Sequence, residues 1–297
     1  HNWTGNRITC RDWFQLCLKE GLTVFRDQEF SSDERSRPVK RIADVRQLRA
    51  AQFPEDAGPL AHPVRPQAYK EINNFYTPTV YEKGAEVIRM LKTLIGADAF
   101  RRGMDLYFAR YDGAAATVEQ FVSCFAEASG RDLAHFMLWY DQAGTPTLTV
   151  TTRHDAAARR FVVTLRQETA PTPGQPVKSP LAIPVRLGLV GEAGDLPLRS
   201  RDASARELDD GVFELDAAER ILVFDDVSER PALSALRGFS APVTLVSDAS
   251  DDDLLRLVAL DSDSFNRWEA SQTLARRLIV AGMAATSEAA QARHLDA

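Results

Sequence analysis

The sequence predicts a multi-domain protein that is helical, then β, then helical again, and three observations carry that prediction. Apolar residues recur at helical spacing as far as Gln142, alternation takes over at Gly144-Thr145-Pro146, and helical spacing returns after Asp248. The expected architecture is a mostly helical part over residues 1–144, an antiparallel β-sandwich over 145–246 and the beginning of an α-helical domain over 247–297. A chain of 297 residues, 44% hydrophobic and 26% charged, suits two or three ordinary globular domains.

Taken in order, the first helix is predicted from Thr9 to Phe25, with Thr9 and Asp12 in capping-box spacing. Trp13, Leu16, Cys17, Glu20 and Val24 share one of its faces. A second helix is expected over Val39 to Ala51, followed by an ordered, proline-bounded loop from Glu55 to Gln67. A polar and aromatic turn, Asn73 to Glu82, leads into a helix over Val80 to Leu94. Further helices are read at Ala97 to Tyr111, Thr117 to Ser129 and Asp132 to Gln142. Strands are read at Thr147 to Thr152, Phe161 to Gln167, Ala182 to Val190, Val212 to Leu215, Arg220 to Phe224 and Pro242 to Val246. The proline-rich segment Ala170 to Pro176 and the Gly191 to Asp195 turn join them, and the strands read as a spacer or packing module. Helices at Leu254 to Leu260 and Ser264 to Gly282 close the chain.

Composition excludes several classes of function. A net charge of −6, spread along the chain, provides no footprint for a nucleic acid or an anionic membrane. Cys10, Cys17 and Cys124 form neither a disulfide framework nor a C-x-x-C pair and are expected to be reduced and packed. No apolar run approaches a bilayer span, and no glycine-rich phosphate loop is present. Asp251-Asp252-Asp253 reads as a solvated helix start that complements the helix dipole rather than as a calcium site. His62, His135, His154 and His294 lie far apart and are read as structural.

The informative pair is His1 and Glu20. Glu20 falls in an apolar helical stripe, where a carboxylate is costly unless paired. A metal ion would satisfy it, and so would an arginine such as Arg7 or Arg11, or a solvent-filled edge. A histidine and a glutamate can be two of the three protein ligands of a catalytic zinc.

The runs His1-Asn2-Trp3-Thr4-Gly5-Asn6-Arg7, Cys10 to Leu16 and Leu18 to Asp27 closely resemble the zinc-helix region of the bacterial aminopeptidase N family, which belongs to the gluzincin type of zinc metallopeptidase. That family's motif is H-E-x-x-H, eighteen residues, then E, and eighteen residues separate His1 from Glu20. The segment Tyr76 to Ala85 resembles the family's stretch carrying a tyrosine that assists at the transition state, and Tyr81 falls on it. The likeness continues through Asp141-Gln142-Ala143-Gly144-Thr145-Pro146 and loosely through the β module.

The resemblance implies the helical lobe of a thermolysin-like catalytic domain, a β-sandwich and the start of a large helical domain. It also implies a single zinc held by His1 and Glu20, with Tyr81 donating to the oxyanion and Tyr76 either lining the pocket for the first substrate side chain or simply packing. Substrates would be peptides with a free N-terminus, cleaved by zinc-activated water in a cytoplasmic, monomeric enzyme with no nucleic-acid or membrane partner. By the same likeness the chain is expected to be a fragment that opens at the motif's second histidine and is cut at its carboxyl end. The first zinc histidine, the glutamate base and the amine-binding loop would then lie outside it, leaving the fragment inactive by itself. Asp27, a candidate orienting partner for a zinc histidine, and Lys19 read as surface or helix-end charges. Two other readings stand beside the peptidase: a non-catalytic packing or scaffold module, and a family member hydrolysing another substrate such as an epoxide.

Overall fold

The computed structural model describes residues 1–200 and 211–295, with side chains described to residue 284. Strand β1 (Thr9–Cys10) opens the helical part, so the first helix does not begin at Thr9. The backbone there is taken by strand β2 (Ala115–Ala116): Thr9 N donates to Ala114 O and Arg11 N to Ala116 O. Asp12 instead caps a 3-10 turn, Trp13–Gln15, by accepting from Phe14 N, and α1 follows as Leu16–Glu34. It runs well beyond Phe25, since no glycine or proline lies between Phe25 and Pro38.

Helix α2 (Arg37–Gln47) passes through a π-helical turn, Leu48–Gln52, into α3 (Phe53–Asp56). Pro54 stands in the first turn of α3, where its missing N–H costs no helical bond, so Glu55 and Asp56 are helical rather than part of a loop. A second π-turn, Thr79–Lys83, leads into α4 (Gly84–Ile95), followed by α5 (Ala97–Tyr111). Helix α6 (Val118–Ser129) starts from a capping box between Thr117 and Gln120. In place of a single helix over Asp132 to Gln142 there is a 3-10 turn, His135–Met137, and a short α7 (Leu138–Asp141). Met137 N is shared there between Leu133 O and Ala134 O, which tightens the winding.

Strands β3 (Thr147–Asp155), β4 (Arg160–Glu168), β5 (Ile183–Gly191), β6 (Gly194–Leu196), β7 (Val212–Leu215), β8 (Glu219–Asp225), β9 (Ala232–Ala235) and β10 (Thr244–Ser247) build two sheets. One has the order β10-β3-β4-β8; the other is β6-β5-β7, with β9 also paired to β5. The pairings are antiparallel except β10 with β3, which runs parallel from Thr244 beside Thr147. Phe161, Val163 and Leu165 of β4 alternate inward, while β5 is buried along nearly its whole length. The rings of Phe213 and Phe224 pack edge to face between the sheets, with centroids 5.5 Å apart.

The principal apolar core continues from the helices into the sandwich. Trp139 Nε1 donates to Ala182 O at 2.8 Å, and Gln142 and Ser179 exchange two hydrogen bonds across the same boundary. Helix α8 (Asp251–Leu260) begins with a Ser250–Asp253 capping box, followed by α9 (Ser264–Leu295). Asp251 and Asp252 are exposed, whereas Asp253 is buried and held by both terminal guanidinium nitrogens of Arg230.

Candidate metal centre

Glu20 lies on the buried face of α1 among Leu16, Cys17, Leu18, Gly21 and Leu22. Its neighbour Gly21 explains how a polar group is reached there. A Cβ on Gly21 would stand 2.8 Å from the carbonyl carbon of Gly84, so α1 and the start of α4 touch backbone to backbone. That approach brings Glu20 under the π-turn carrying Tyr81.

His1 is placed by the turn that follows it. Asn6 N donates to His1 O, Arg7 N to Asn2 O and Ile8 N to Trp3 O, and Thr23 of α1 anchors the turn by donating from Oγ1 to Thr4 O at 3.3 Å. The result sets His1 Nε2 at 3.2 Å from Glu20 Oε2, with the imidazole 47% exposed and the carboxylate 5% exposed. Two donors each about 2.1 Å from a tetrahedral zinc stand roughly 3.4 Å apart, so this pair fits a shared ion. The arginine alternatives do not reach Glu20: Arg7 pairs with Asp112, and Arg11 donates to Ala115 O. Lys19 departs from its reading as a surface charge, since it is partly buried with Nζ 3.5 Å from Glu20 Oε1.

Tyr81 is partly buried, with the Glu20 carboxylate near enough to act on its phenol. Burial, and after it the negative charge of the nearby Glu20, push that phenol up to about 12, so it remains a proton donor at neutral pH. Its π-helical turn is a distortion that recurs at functional sites. Tyr76 is 52% exposed, with its ring 6.3 Å from Tyr81 and 6.4 Å from the exposed Trp13. The buried Phe75 packs on Trp13, Phe14 and Tyr69 in one aromatic cluster. Trp13 was visible in the sequence only as part of the α1 stripe, which hid its outward position.

The remaining candidates lie elsewhere. Asp27 is exposed on α1. A ring nitrogen of His62 meets Pro63 O, one of His135 meets Pro180 O and one of His154 meets Val227 O, while the His294 side chain lies outside the described residues. Cys17 and Cys124 are buried and Cys10 is partly buried, all free thiols. Among the described residues there is no cluster of three or more His, Cys, Asp or Glu suited to a metal.

Comparison with known proteins agrees with this layout. Residues 1–140 match the peptidase family M1 domain, 144–248 an Ig-like domain of unknown function (DUF3458), and 251–297 its companion domain of ARM repeats. Aminopeptidase N of Caulobacter vibrioides is 59% identical over 100% of this chain and 33% of its own length. Aminopeptidase N of Escherichia coli is 50% identical over 92% of this chain and 31% of its own. The crystal structure of Legionella pneumophila aminopeptidase A in complex with aspartic acid superposes with a TM-score of 0.79 at 30% identity, covering 95% of this chain and 30% of that one. The chain thus spans about a third of the length of the curated relatives it matches.

Proposed function

The chain belongs to peptidase family M1, and from that premise we propose that it forms part of a zinc aminopeptidase of the bacterial aminopeptidase N type. The observation that carries the reading is the convergence of His1 Nε2 and Glu20 Oε2 at 3.2 Å in a position open on the histidine side. His1 and Glu20 would hold the metal, with the third ligand and the general base contributed from elsewhere in the full-length protein. When bound, the zinc supplies Lewis acidity that acidifies water and polarises a carbonyl. Tyr81, kept protonated, would donate its phenolic hydrogen to the oxyanion of the tetrahedral intermediate, a role in which one donor contributes about 3 kcal/mol. Tyr76, standing outward beside Tyr81, would line the pocket for the first substrate side chain.

The division into 1–144, 145–246 and 247–297 belongs to the same proposal, as do peptide substrates with a free N-terminus, a monomeric state and a cytoplasmic setting. The test is hydrolysis of an alanine anilide by the full-length protein, before and after chelation. Activity should vanish with the metal and return with zinc, while residues 1–297 alone should neither retain zinc nor hydrolyse the substrate. Hydrolysis that survives complete metal removal, or none by the zinc-loaded full-length protein, contradicts the reading.

A further inference from the structure

We propose that Glu55 and Asp56, at the end of α3, are positioning residues that hold the π-turn of Tyr81 in register by gripping its two ends. At one end, the fully buried Thr79 donates to Glu55 Oε2 from its backbone N at 2.9 Å and from Oγ1 at 2.5 Å, and Gln52 Nε2 donates to Thr79 Oγ1 at 3.3 Å. At the other end, Lys83 is 1% exposed and donates from Nζ to Asp56 Oδ2 at 2.7 Å and to Gly144 O at 2.9 Å. Thr145 Oγ1 completes Asp56 at 2.9 Å. Tyr81 stands two residues from each gripped end and meets Glu20 instead.

A π-turn holds one residue more than an α-turn, and helical backbone relaxes to the α form unless something outside it fixes the register. A one-residue shift rotates a helical side chain by about 100°, which would carry the Tyr81 hydroxyl away from Glu20. Glu55 and Asp56 supply the external fixing points, one for each end of the turn. Both carboxylates are committed to this scaffold, Glu55 to Thr79 and Asp56 to Lys83 and the Gly144-Thr145 segment.

The inference rests on the proposed role of Tyr81 and is tested in the full-length enzyme with Thr79→Val, which keeps the shape and removes the hydroxyl, beside Thr79→Ser, which keeps the hydroxyl. Glu55→Gln provides a second variant of unchanged size. Thr79→Val should lower kcat for an alanine anilide about tenfold with KM and zinc content unchanged, and weaken binding of a tetrahedral phosphonate analogue by a similar factor. Thr79→Ser should restore both, Glu55→Gln should act in the same direction, and the Thr79→Val effect should vanish in a Tyr81→Phe background. An undiminished effect in that background, or an unchanged kcat and phosphonate affinity in both Thr79→Val and Glu55→Gln, overturns the inference. A wild-type enzyme without metal-dependent hydrolysis overturns instead the peptidase reading beneath it.

Discussion

Glu20 and Glu86 are both buried carboxylates, on helices α1 and α4 that touch at Gly21 and Gly84, yet their surroundings are opposites. Glu86 accepts from both terminal guanidinium nitrogens of Arg41 at 2.7 and 2.6 Å, and Arg41 is itself fixed by Gly238 O and Phe239 O. Burial pushes the Glu86 carboxyl up, but Arg41 and Arg89 outweigh it and hold the group ionised. Glu20 has no such partner. It meets a half-exposed imidazole, a phenol and a lysine amine at 3.5 Å, and one side of this arrangement stays open. A buried acid enclosed by a bidentate arginine has a structural role; one left with a histidine at ligand spacing is what the proposed metal site is built on.

Removing a donor at the open site should produce the largest effect. Zinc is held in structural sites with about 10–16 kcal/mol, so one donor accounts for roughly 4 kcal/mol. His1→Ala or Glu20→Gln in the full-length protein should therefore weaken zinc binding on the order of a thousandfold, as measured by competition with a chromogenic chelator, with little change in the stability of the metal-free protein. Glu86→Ala should do the reverse. It leaves Arg41 buried without its counter-ion, costing about 3–5 kcal/mol in a urea titration, and leaves zinc affinity in the folded protein nearly unchanged.

An acid titration tests the enclosed network from another side. Burial raises the Glu29 carboxyl, but Arg89 and Lys92 outweigh it and depress the group from 4.5 to about 2. A depressed carboxylate contributes its stability above its unfolded value and loses it as pH falls through its folded value. Stability should therefore decline from about pH 4.5 down to about pH 2 by on the order of 3 kcal/mol, and Glu29→Gln should remove that part of the slope. Gly21→Ala sits between the two carboxylates. Its methyl would meet the Gly84 backbone, so it should cost about 1–3 kcal/mol by thermal unfolding and lower kcat by shifting Glu20 against Tyr81. Tyr76→Ala should be mildest for stability, within about 0.5 kcal/mol, and should appear as a several-fold change in KM among substrates differing in their first residue.

The open site was more legible in the sequence than the network supporting it. A carboxylate in an apolar stripe called for a partner, and the eighteen residues between His1 and Glu20, the spacing of the family motif this segment resembles, supplied His1 as the candidate. Lys19 escaped because helical spacing says which face a residue occupies and not how far a long side chain reaches back. The sequence reads Thr79–Lys83 as the end of a polar turn running into an ordinary helix from Val80, since the π register is decided by Glu55 and Asp56 more than twenty residues away. Those two acids were themselves assigned to a loop because Pro54 beside them resembles a helix breaker, when it stands at a helix start. The same limit applies at Thr9, whose capping pattern lost to pairing with Ala115, at β6, only three residues long, and at β9, whose Ala232-Leu233-Ser234-Ala235 has no β-branched or aromatic residue.

The most direct test is anomalous diffraction at the zinc edge from crystals of the full-length protein. A single strong peak within about 2.0–2.2 Å of both His1 Nε2 and a Glu20 carboxylate oxygen is the predicted result. A peak bound elsewhere, or none at these two side chains in zinc-loaded crystals, would contradict the convergence on which the proposed activity rests.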